Sequence, residues 1–425
     1  MRTKVVGRLM QLNMRDACAT IVMDTFNKLP HPVHLVDITL FYAAEGGGVS
    51  TYLNAKSAWL AQHGGWRHTV VAPHDGSCPA PTFVPVPSRS LRNEDGYRLP
   101  RSMRRTERLL ASLKPDLIEV GDPYHFAWAA LRARPRIDAP VVGFYHSDLV
   151  RVVRHRYGAL AARAASQYAG LLYRRFDLVL APSRSAMLTL RELGVERVQH
   201  QPLGVDTAVF TPARRDPQLR ARLGLPAYAR LLVYAGRSTP EKKLPLLIAA
   251  LQRLVAPYYL LQIGQAASDR SGSGPAAFGS DGSGTADVQR VVHLPFQRDP
   301  AALAGLLASC DLLVHPGDQE TFGLVVLEAM ACGLPVLGVA AGGVAELITE
   351  DTGLLVQPGS AAALAEGITA LYDADLAALG AQARRKVVAQ YDWRSIFPQL
   401  MSHYATLLAS HRLPAVKASL SLAAE

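Results

Sequence analysis

The sequence has few cysteines and lacks any long uninterrupted apolar segment. Only four of its 425 residues are cysteines, and they are far apart without a CxxC pair: Cys18, Cys78, Cys310 and Cys332. This pattern disfavours a disulfide framework or a cysteine-based zinc site. No apolar run approaches the roughly 18 residues of a membrane-spanning helix, and polar residues interrupt any signal-peptide core behind the basic N-terminus. We therefore expect a cytoplasmic protein.

The composition is typical of a folded α/β protein. Apolar residues make up 49% of the chain, charged residues 19% and aromatic residues only 7%. Such a balance excludes a disordered chain, and small aliphatic residues are typical of buried parallel strands and the helices covering them. At roughly 150 residues per domain, the length predicts two or three domains.

The positive charge is concentrated in one half of the chain. Residues 1–205 hold 27 Lys and Arg against 16 Asp and Glu, a net of +11, whereas residues 206–425 hold 18 against 19, a net of −1. Nucleic acid, anionic lipid or an acidic small molecule could each face the basic half. Much of this charge lies in two short clusters: Arg98, Arg101, Arg104, Arg105 and Arg108, then Arg151, Arg154 and Arg156. If the first cluster is helical, Arg101, Arg104, Arg105 and Arg108 form one basic stripe, because residues three or four apart share a helix face.

Strands and helices alternate in both halves. The predicted strands are 33–40, 68–72, 117–120, 141–145 and 178–181, then 231–235, 259–263, 291–294, 312–315 and 335–339. This alternation predicts parallel, helix-covered sheets, hence an α/β protein with two Rossmann-like lobes facing a cleft. The predicted segments are an N-terminal extension 1–33, a first lobe 34–204, a second lobe 205–390 and a terminal helix and tail 391–425. The low-complexity stretch 271–284 is interpreted as a flexible loop.

Two loops could bind phosphate. The cluster Gly46–Gly48 follows a strand and opens a helix, where backbone amides approach an anion closely, although a tight structural turn explains it equally well. Arg237 and Lys242 follow the first strand of the second half and precede another helix. Two cations beside a helix N-terminus suit a diphosphate, and a solvated turn is the alternative.

Two glutamates in the stretch 320–328 form the most informative motif. Glu320 is predicted in a loop, and Glu328 is predicted within an otherwise apolar helix that ends at Gly333. An unpaired carboxylate is costly in such apolar surroundings. A polyhydroxylated ligand would supply hydroxyl donors to both. The pair of carboxylates of a retaining glycosidase and a salt bridge for each glutamate are the alternatives.

His146 stands just beyond a predicted strand of the first half. A lone histidine there serves either structure or catalysis. Asp122 and His125 hold a similar position with a weaker case. No compact set of His, Asp and Glu indicates a metal.

Together these residues resemble the retaining glycosyltransferases with the GT-B fold, family 4 in the sequence-based classification. Glu320 to Glu328 match the E-x7-E signature of that family, within a resemblance that extends from about His34 to Tyr391. The other matching pieces are Gly46–Gly48, His146, 181–183, 203–206, Gly236-Arg237 with Lys242, and Gly342-Gly343 before Glu346.

The resemblance implies a function and a role for each residue. It implies a retaining transfer of a hexose, glucose- or mannose-type, from a UDP- or GDP-sugar to a lipid or glycan acceptor. The first lobe would bind the acceptor and the second the donor, with the last helix crossing back. Arg237 and Lys242 would hold the diphosphate, Glu328 the ribose, and Glu320 with the backbone of Phe322, Gly323 and Leu324 the sugar. Gly47 and Gly48 would line the donor site, and His146 would approach the sugar from the other lobe.

The resemblance also implies front-face attack, in which the departing phosphate accepts the proton of the acceptor, without a protein nucleophile, metal or cofactor. The chain departs from the family pattern after Gly264, where a long Gly/Ser insertion puts the nucleobase contacts in doubt. A GT-B epimerase or phosphorylase and a basic nucleic-acid-binding protein are the alternatives. The basic first half further predicts an acidic acceptor or one presented at an anionic membrane surface, with the enzyme peripheral to its inner face.

Overall fold

The computed structural model describes residues 31–42, 47–73, 82–90, 98–255, 257–264 and 290–422. Residues 1–30 of the predicted N-terminal extension, Gly46 and the loop 271–284 lie outside the described residues. The chain divides into two compact units, the first comprising Met1–Pro202 and Trp393–Glu425 and the second Leu203–Asp392.

The first unit is built around a seven-stranded parallel sheet of order β3-β2-β1-β6-β7-β8-β9, with β4 and β5 forming a separate antiparallel pair. The strands are β1 Val33–Ile38, β2 Trp66–Pro73, β3 Phe83–Val86, β4 Ser88–Ser90, β5 Arg98–Pro100, β6 Leu117–Val120, β7 Val141–Phe144, β8 Leu178–Ala181 and β9 Val198–His200. The helices are α1 Gly48–Gln62, α2 Met103–Leu113, α3 His125–Ala133, α4 Leu149–Tyr173 and α5 Arg184–Glu192, with a 3₁₀ turn at Arg134–Arg136. Every residue of β1, β6, β7 and β8 is buried, as expected for strands covered on both faces.

The second unit has a six-stranded parallel sheet of order β12-β11-β10-β13-β14-β15. The strands are β10 Arg230–Ala235, β11 Tyr258–Ile263, β12 Val291–Leu294, β13 Leu312–His315, β14 Val336–Val339 and β15 Gly353–Val356. The helices are α6 Leu219–Arg222, α7 Leu244–Arg253, α8 Pro300–Ala308, α9 Leu324–Ala331, α10 Val344–Leu347, α11 Ala361–Asp373 and α12 Leu376–Gln390, with 3₁₀ turns at Pro212–Arg214 and Pro240–Lys242.

The last helix, α13 Trp393–Leu422, returns to the first unit and packs on α1. Trp393 and Phe397 stack at 4.7 Å between ring centroids, and Phe397 also meets Trp59 of α1 at 5.7 Å. The buried positions along its first four turns recur at helical spacing, so one apolar face covers the first unit. They are Trp393, Ile396, Phe397, Leu400, Met401, Tyr404, Ala405 and Leu408.

Both sheets confirm the predicted α/β class with two Rossmann-like lobes. Within each unit the strand order reverses beside the first strand, β1 or β10, so chain segments leave the carboxyl ends of two adjacent strands in opposite directions. In open parallel sheets this is where ligands bind. The predicted strands were found with boundaries that agree within two residues, whereas the short strands β3, β4, β5, β9 and β15 were not predicted. No described helix is both long and apolar enough to cross a membrane.

Candidate active site

Three of the predicted residues lie at the carboxyl edge of the second sheet. The turn containing Arg237 and Lys242 follows β10, and the loop containing Glu320 follows β13, the strand paired with β10. Lys242 Nζ donates a short hydrogen bond to Glu320 Oε1 across 78 residues of sequence. The Tyr234 hydroxyl donates to the Arg237 carbonyl at 2.8 Å, which fixes the backbone of that turn. The structure thus brings both predicted cations to the edge where Glu320 lies.

Glu320 is held as an anion. Burial raises its pKa, but the Lys242 ammonium and His315 outweigh burial and hold the pKa of this carboxyl well below its usual range. The Lys242 and Glu320 side chains are about one-fifth exposed, so both can be reached by a ligand. An ionised carboxylate accepts hydrogen bonds only, which suits the hydroxyl groups of a sugar.

A second ion pair lies beside the first. Lys243 Nζ donates a short hydrogen bond to Asp318 Oδ2, and these side chains are 27% and 21% exposed. Lys243 has φ +52°, in the left-handed region, and directly precedes α7. Sequence reasoning missed this pair, although the adjacent Lys242-Lys243 dipeptide was a usable signal.

Close packing against two glycines fixes the loop that carries Glu320. The Gly343 amide donates to the Glu320 carbonyl at 2.8 Å. A Cβ on Gly342 would lie 2.7 Å from that carbonyl oxygen, and one on Gly343 would lie 2.3 Å from the Thr321 carbonyl oxygen. Real Cβ atoms do not approach so closely, so only glycine lets the two loops meet.

Helix α9 begins immediately after this loop. Gly323 caps it with φ +110°, and the Phe322 side chain is buried, so only the backbone of these residues is available to a ligand. The first turn of a helix leaves amides without intrahelical partners, and its dipole favours an anion. Leu324 stands at the first helical position and is partly exposed.

Glu328 lies one turn further along α9. Burial raises the pKa of its carboxyl to about 7, and the carboxyl makes no hydrogen bond or salt bridge to any residue that the structure describes. The predicted helix ending near Gly333 is confirmed, since α9 ends at Ala331. A partly buried carboxyl without a protein partner is what a ribose-binding residue needs.

The predicted residues of the first unit lie together at the carboxyl end of its own sheet. Gly47 caps α1 with φ +136°, Gly48 is the first residue of that helix, and a Cβ on Gly47 would meet nothing within 4 Å. His146 follows β7, stacks on Phe144 at 4.2 Å and lies 5.4 Å from the Tyr52 ring. Burial and the Lys56 ammonium lower the pKa of His146 to about 3, against the opposing effect of Asp37. His146 is therefore neutral at physiological pH and can exchange hydrogen bonds but supply no charge.

A buried ionic cluster lies beneath this end of the first sheet. Lys56 Nζ donates to Asp37 Oδ1 at 2.8 Å, to Glu119 Oε1 at 2.9 Å and to the Tyr52 hydroxyl at 3.0 Å. The Tyr404 hydroxyl of α13 donates a short hydrogen bond to Glu119. We call these five residues the Lys56 cluster; none was predicted, because Lys, Asp and Glu in a sequence usually mark solvated positions.

Other residues singled out in the sequence have structural partners. Asp122 is buried and accepts from the amides of Leu40 and Tyr124, both at 2.9 Å, so it organises two loops. The predicted basic stripe is helical from Arg104 to Arg108 and its arginines are exposed. Arg101 is a correction, since it precedes α2 and its amide donates to the Pro87 carbonyl. Among the residues that the structure describes, no three His, Cys, Asp or Glu side chains cluster as metal ligands.

Comparison with known proteins assigns the chain to a family. Residues 46–253 match the profile described as Glycosyltransferase Family 4, and residues 216–387 match that described as Glycosyl transferases group 1. A GDP-mannose-dependent alpha-mannosyltransferase of Mycolicibacterium smegmatis is 31% identical over 335 residues, covering 78% of this chain and 84% of the relative. Sulfoquinovosyl transferase SQD2 of Arabidopsis thaliana is 30% identical over 333 residues, covering 73% of this chain and 61% of the relative.

The fold has matches among solved structures. Sucrose-phosphate synthase from Thermosynechococcus elongatus superposes with a TM-score of 0.71 at 23% identity, covering 89% of this chain and all of that one. The sequence relatives carry the family assignment, and this structural match carries the fold. The chain therefore belongs to the GT-B glycosyltransferases of family 4, enzymes that transfer a sugar from a nucleotide sugar.

Proposed function

We propose that the chain is a retaining hexosyltransferase whose second unit binds a nucleoside diphosphate sugar at the carboxyl edge of its sheet. The observation that carries this proposal is the Lys242–Glu320 ion pair beside the N-terminus of α9. In this assignment Lys242 and Arg237 bind the diphosphate and Glu328 binds the ribose. Glu320 and the backbone from Phe322 to Leu324 bind the sugar.

The proposed reaction proceeds on one face of the sugar. The acceptor hydroxyl oxygen forms a bond to the anomeric carbon as the bond from that carbon to the diphosphate breaks, and the hydroxyl proton passes to the departing phosphate oxygen. Negative charge therefore grows on the leaving group, where preplaced cations and helix amides stabilise the transition state. No protein nucleophile or metal is needed in this scheme, and the role of His146 toward the sugar stays a prediction.

Mannose is the first hexose to test, because the Mycolicibacterium relative is named a GDP-mannose-dependent alpha-mannosyltransferase. The nucleobase contacts expected after Gly264 fall in the segment 265–289, which lies outside the described residues. Because the base is therefore not identified, UDP-sugars belong in the same experiment. A thermal-shift and hydrolysis screen with GDP-mannose, UDP-glucose and their free nucleotides identifies the donor, since saturable stabilisation reports binding to the folded state.

Stereochemistry and metal dependence are tested with the donor so identified. Proton NMR of the product should show the anomeric configuration of the donor, and activity should persist after treatment with a chelator. Inverted product would overturn the retaining mechanism, and activity that returns only with a divalent cation would overturn the metal-independent scheme. Release of free sugar phosphate on adding phosphate, or of an epimerised nucleotide sugar, would instead identify a phosphorylase or an epimerase.

We further propose that the acceptor is acidic or is presented at an anionic membrane surface, and that the first unit contacts it. Helix α2 exposes Arg104, Arg105 and Arg108 on the side opposite its buried residues Thr106 and Leu110. Helix α4 begins with exposed Arg151, Arg154 and Arg156, and Tyr157 beside them is 66% exposed. Basic and apolar side chains exposed together are typical of surfaces that bind anionic lipid.

A further inference from the structure

His315 is a buried histidine at the end of β13 for which the proposed reaction has no role. Its side chain is 3% exposed, and its Nε2 atom lies 3.4 Å from Glu320 Oε1. Its Nδ1 atom has no hydrogen-bond partner among the described residues. The neutral ring with its proton on Nε2 is therefore the form that leaves no buried N–H unpaired and directs the proton at Glu320.

Lys242 and His315 compete for one atom. Both face Glu320 Oε1, and Lys242 makes the short contact while His315 stays at 3.4 Å. A single carboxylate oxygen has two acceptor positions, but a charge-assisted bond from an ammonium is shorter and stronger than a bond from a neutral imidazole. The bond from Lys242 is therefore the stronger of the two contacts to Glu320 Oε1.

Of the three side chains, Lys242 is the one free to move. The Glu320 backbone is fixed by the Gly343 amide. The His315 ring is enclosed, since a Cβ on the neighbouring Gly317 would lie 3.1 Å from His315 Cε1. Lys242 instead reaches Glu320 through a flexible four-carbon chain that is about one-fifth exposed.

From these contacts we infer that His315 is a positioning residue, which holds the Glu320 carboxylate for the sugar once a diphosphate has drawn Lys242 away. The inference rests on the proposed function. As Lys242 turns to the phosphate oxygens, Glu320 loses its ammonium partner, the His315 contact shortens, and the carboxylate is oriented to accept sugar hydroxyls. The diphosphate and sugar subsites are then coupled, and such coupling is reciprocal in binding free energy.

Two conservative variants separate this role from a structural one. The side-chain amide nitrogen of glutamine reaches approximately the position of Nε2, whereas that of asparagine reaches the position of Nδ1. His315→Gln should therefore keep the contact with Glu320, and His315→Asn should lose it although both are polar and uncharged. His315→Leu removes every hydrogen bond at similar volume.

The experiment measures binding of GDP and GDP-mannose, and of UDP and UDP-glucose, to the wild type and the three variants by calorimetry, together with transfer kinetics. We expect free nucleotide diphosphate to bind all four proteins within about twofold. Two quantities should fall about 10- to 50-fold in His315→Leu and His315→Asn: the ratio of nucleotide-sugar affinity to free-nucleotide affinity, and kcat/KM. This is the effect of losing one hydrogen bond to a charged group. His315→Gln should stay within about threefold of the wild type.

Three results would overturn the role of His315. They are equal losses of affinity for free nucleotide and nucleotide sugar, wild-type behaviour of all variants, and an activity of His315→Asn equal to that of His315→Gln. If the His315→Leu protein does not fold, the comparison of His315→Gln with His315→Asn is sufficient to test the role. Failure of the wild type to bind any of the four nucleotides would instead refute the proposed function itself.

Discussion

The two units use the same strand order but place their lysine–carboxylate contacts at different depths. In the Lys56 cluster the lysine is fully buried, and Asp37 and Glu119 are 2% exposed. At the edge of the second sheet the side chains of Lys242 and Glu320 are about one-fifth exposed. A buried network has all its partners within the protein and specifies a packed arrangement, whereas a partly exposed pair can exchange a partner for a ligand.

The Lys56 cluster also joins distant parts of the first unit. Asp37 lies on β1, Glu119 on β6, Tyr52 and Lys56 on α1, and Tyr404 on the C-terminal helix α13. The second-unit pairs join only the turn after β10 to the loop after β13. The comparison predicts that charge removal in the first unit affects stability and that charge removal in the second affects ligand binding.

The largest expected effect is on the stability of the first unit. Lys56→Met should reduce the free energy of unfolding by about 3–5 kcal/mol, because it leaves buried carboxylates without their cation. Lys242→Met should change the free energy of unfolding by less than about 1 kcal/mol, because its ion pair is partly exposed. Denaturant unfolding of both variants tests the contrast.

The same two variants have the opposite ranking in ligand binding. Lys242→Met should weaken nucleotide diphosphate binding more than monophosphate binding in calorimetry, and Arg237→Ala should do the same. Folded Lys56→Met should bind both nucleotides as the wild type does. Equal losses for mono- and diphosphate would contradict the placement of Lys242 and Arg237 at the diphosphate.

Next in size are the two glutamates of the E-x7-E stretch. Glu320→Gln and Glu328→Gln should each lower kcat/KM by tens- to several hundred-fold, about 2–4 kcal/mol, because each removes a charged hydrogen-bond acceptor for the donor. The exposed Glu366→Gln on α11 is the matched control and should leave activity unchanged. Near-normal turnover in both site variants, with thermal unfolding unchanged, would refute the assignment.

Glu119 should make stability depend on pH. Burial raises its pKa to about 7 in the folded protein, against the partial opposition of Lys56, from an ordinary 4.5. A raised pKa means that the stability contributed by protonated Glu119 is complete below pH 4.5 and is lost as pH rises through 7. Asp37, whose pKa is lowered, stays ionised in this window. Between pH 5 and 8 the free energy of unfolding of the wild type should therefore fall by about 1–3 kcal/mol more than that of Glu119→Gln, as measured by denaturant unfolding.

Glu328 should give donor binding a pH dependence of its own. With the pKa of its carboxyl raised to about 7 by burial, the fraction ionised increases between pH 6 and 8, and only the ionised form accepts through both oxygens. Donor affinity should therefore increase over this range, by up to about tenfold. Calorimetry on Glu328→Gln should show a flatter profile; an equally steep one would assign the titration to another group.

The smallest expected effect concerns the exposed arginines of α2. Arg104→Ala with Arg108→Ala should weaken binding to anionic vesicles by about 1 kcal/mol per arginine at low salt, without changing nucleotide binding. The control replaces Arg253 and Arg385, exposed arginines of the second unit. Negligible co-sedimentation of the wild type with anionic and neutral vesicles alike would favour an acidic acceptor that is not presented by a membrane.

The sequence by itself determined the elements and the order of the motifs. Strands such as Leu312–His315 and helix α9 depend on apolar spacing within a few residues, so they could be predicted without knowing their neighbours. The glycines and charged residues of the site were found because they occur next to those strands. The short strand Val198–His200 was missed, since three residues carry too little pattern.

Only the tertiary structure decided which charges meet. Lys242 pairs with Glu320 across 78 residues, and Tyr404 reaches Glu119 across 285. These contacts exist because strand order places β10 beside β13 and because α13 returns to the first unit, and neither arrangement is written in local spacing. The same holds for His315. Its sequence position marks only the end of a strand, and only the structure shows that its ring faces Glu320 Oε1, the atom that Lys242 contacts. Pairing depends on long-range packing, and packing is what a linear pattern does not contain.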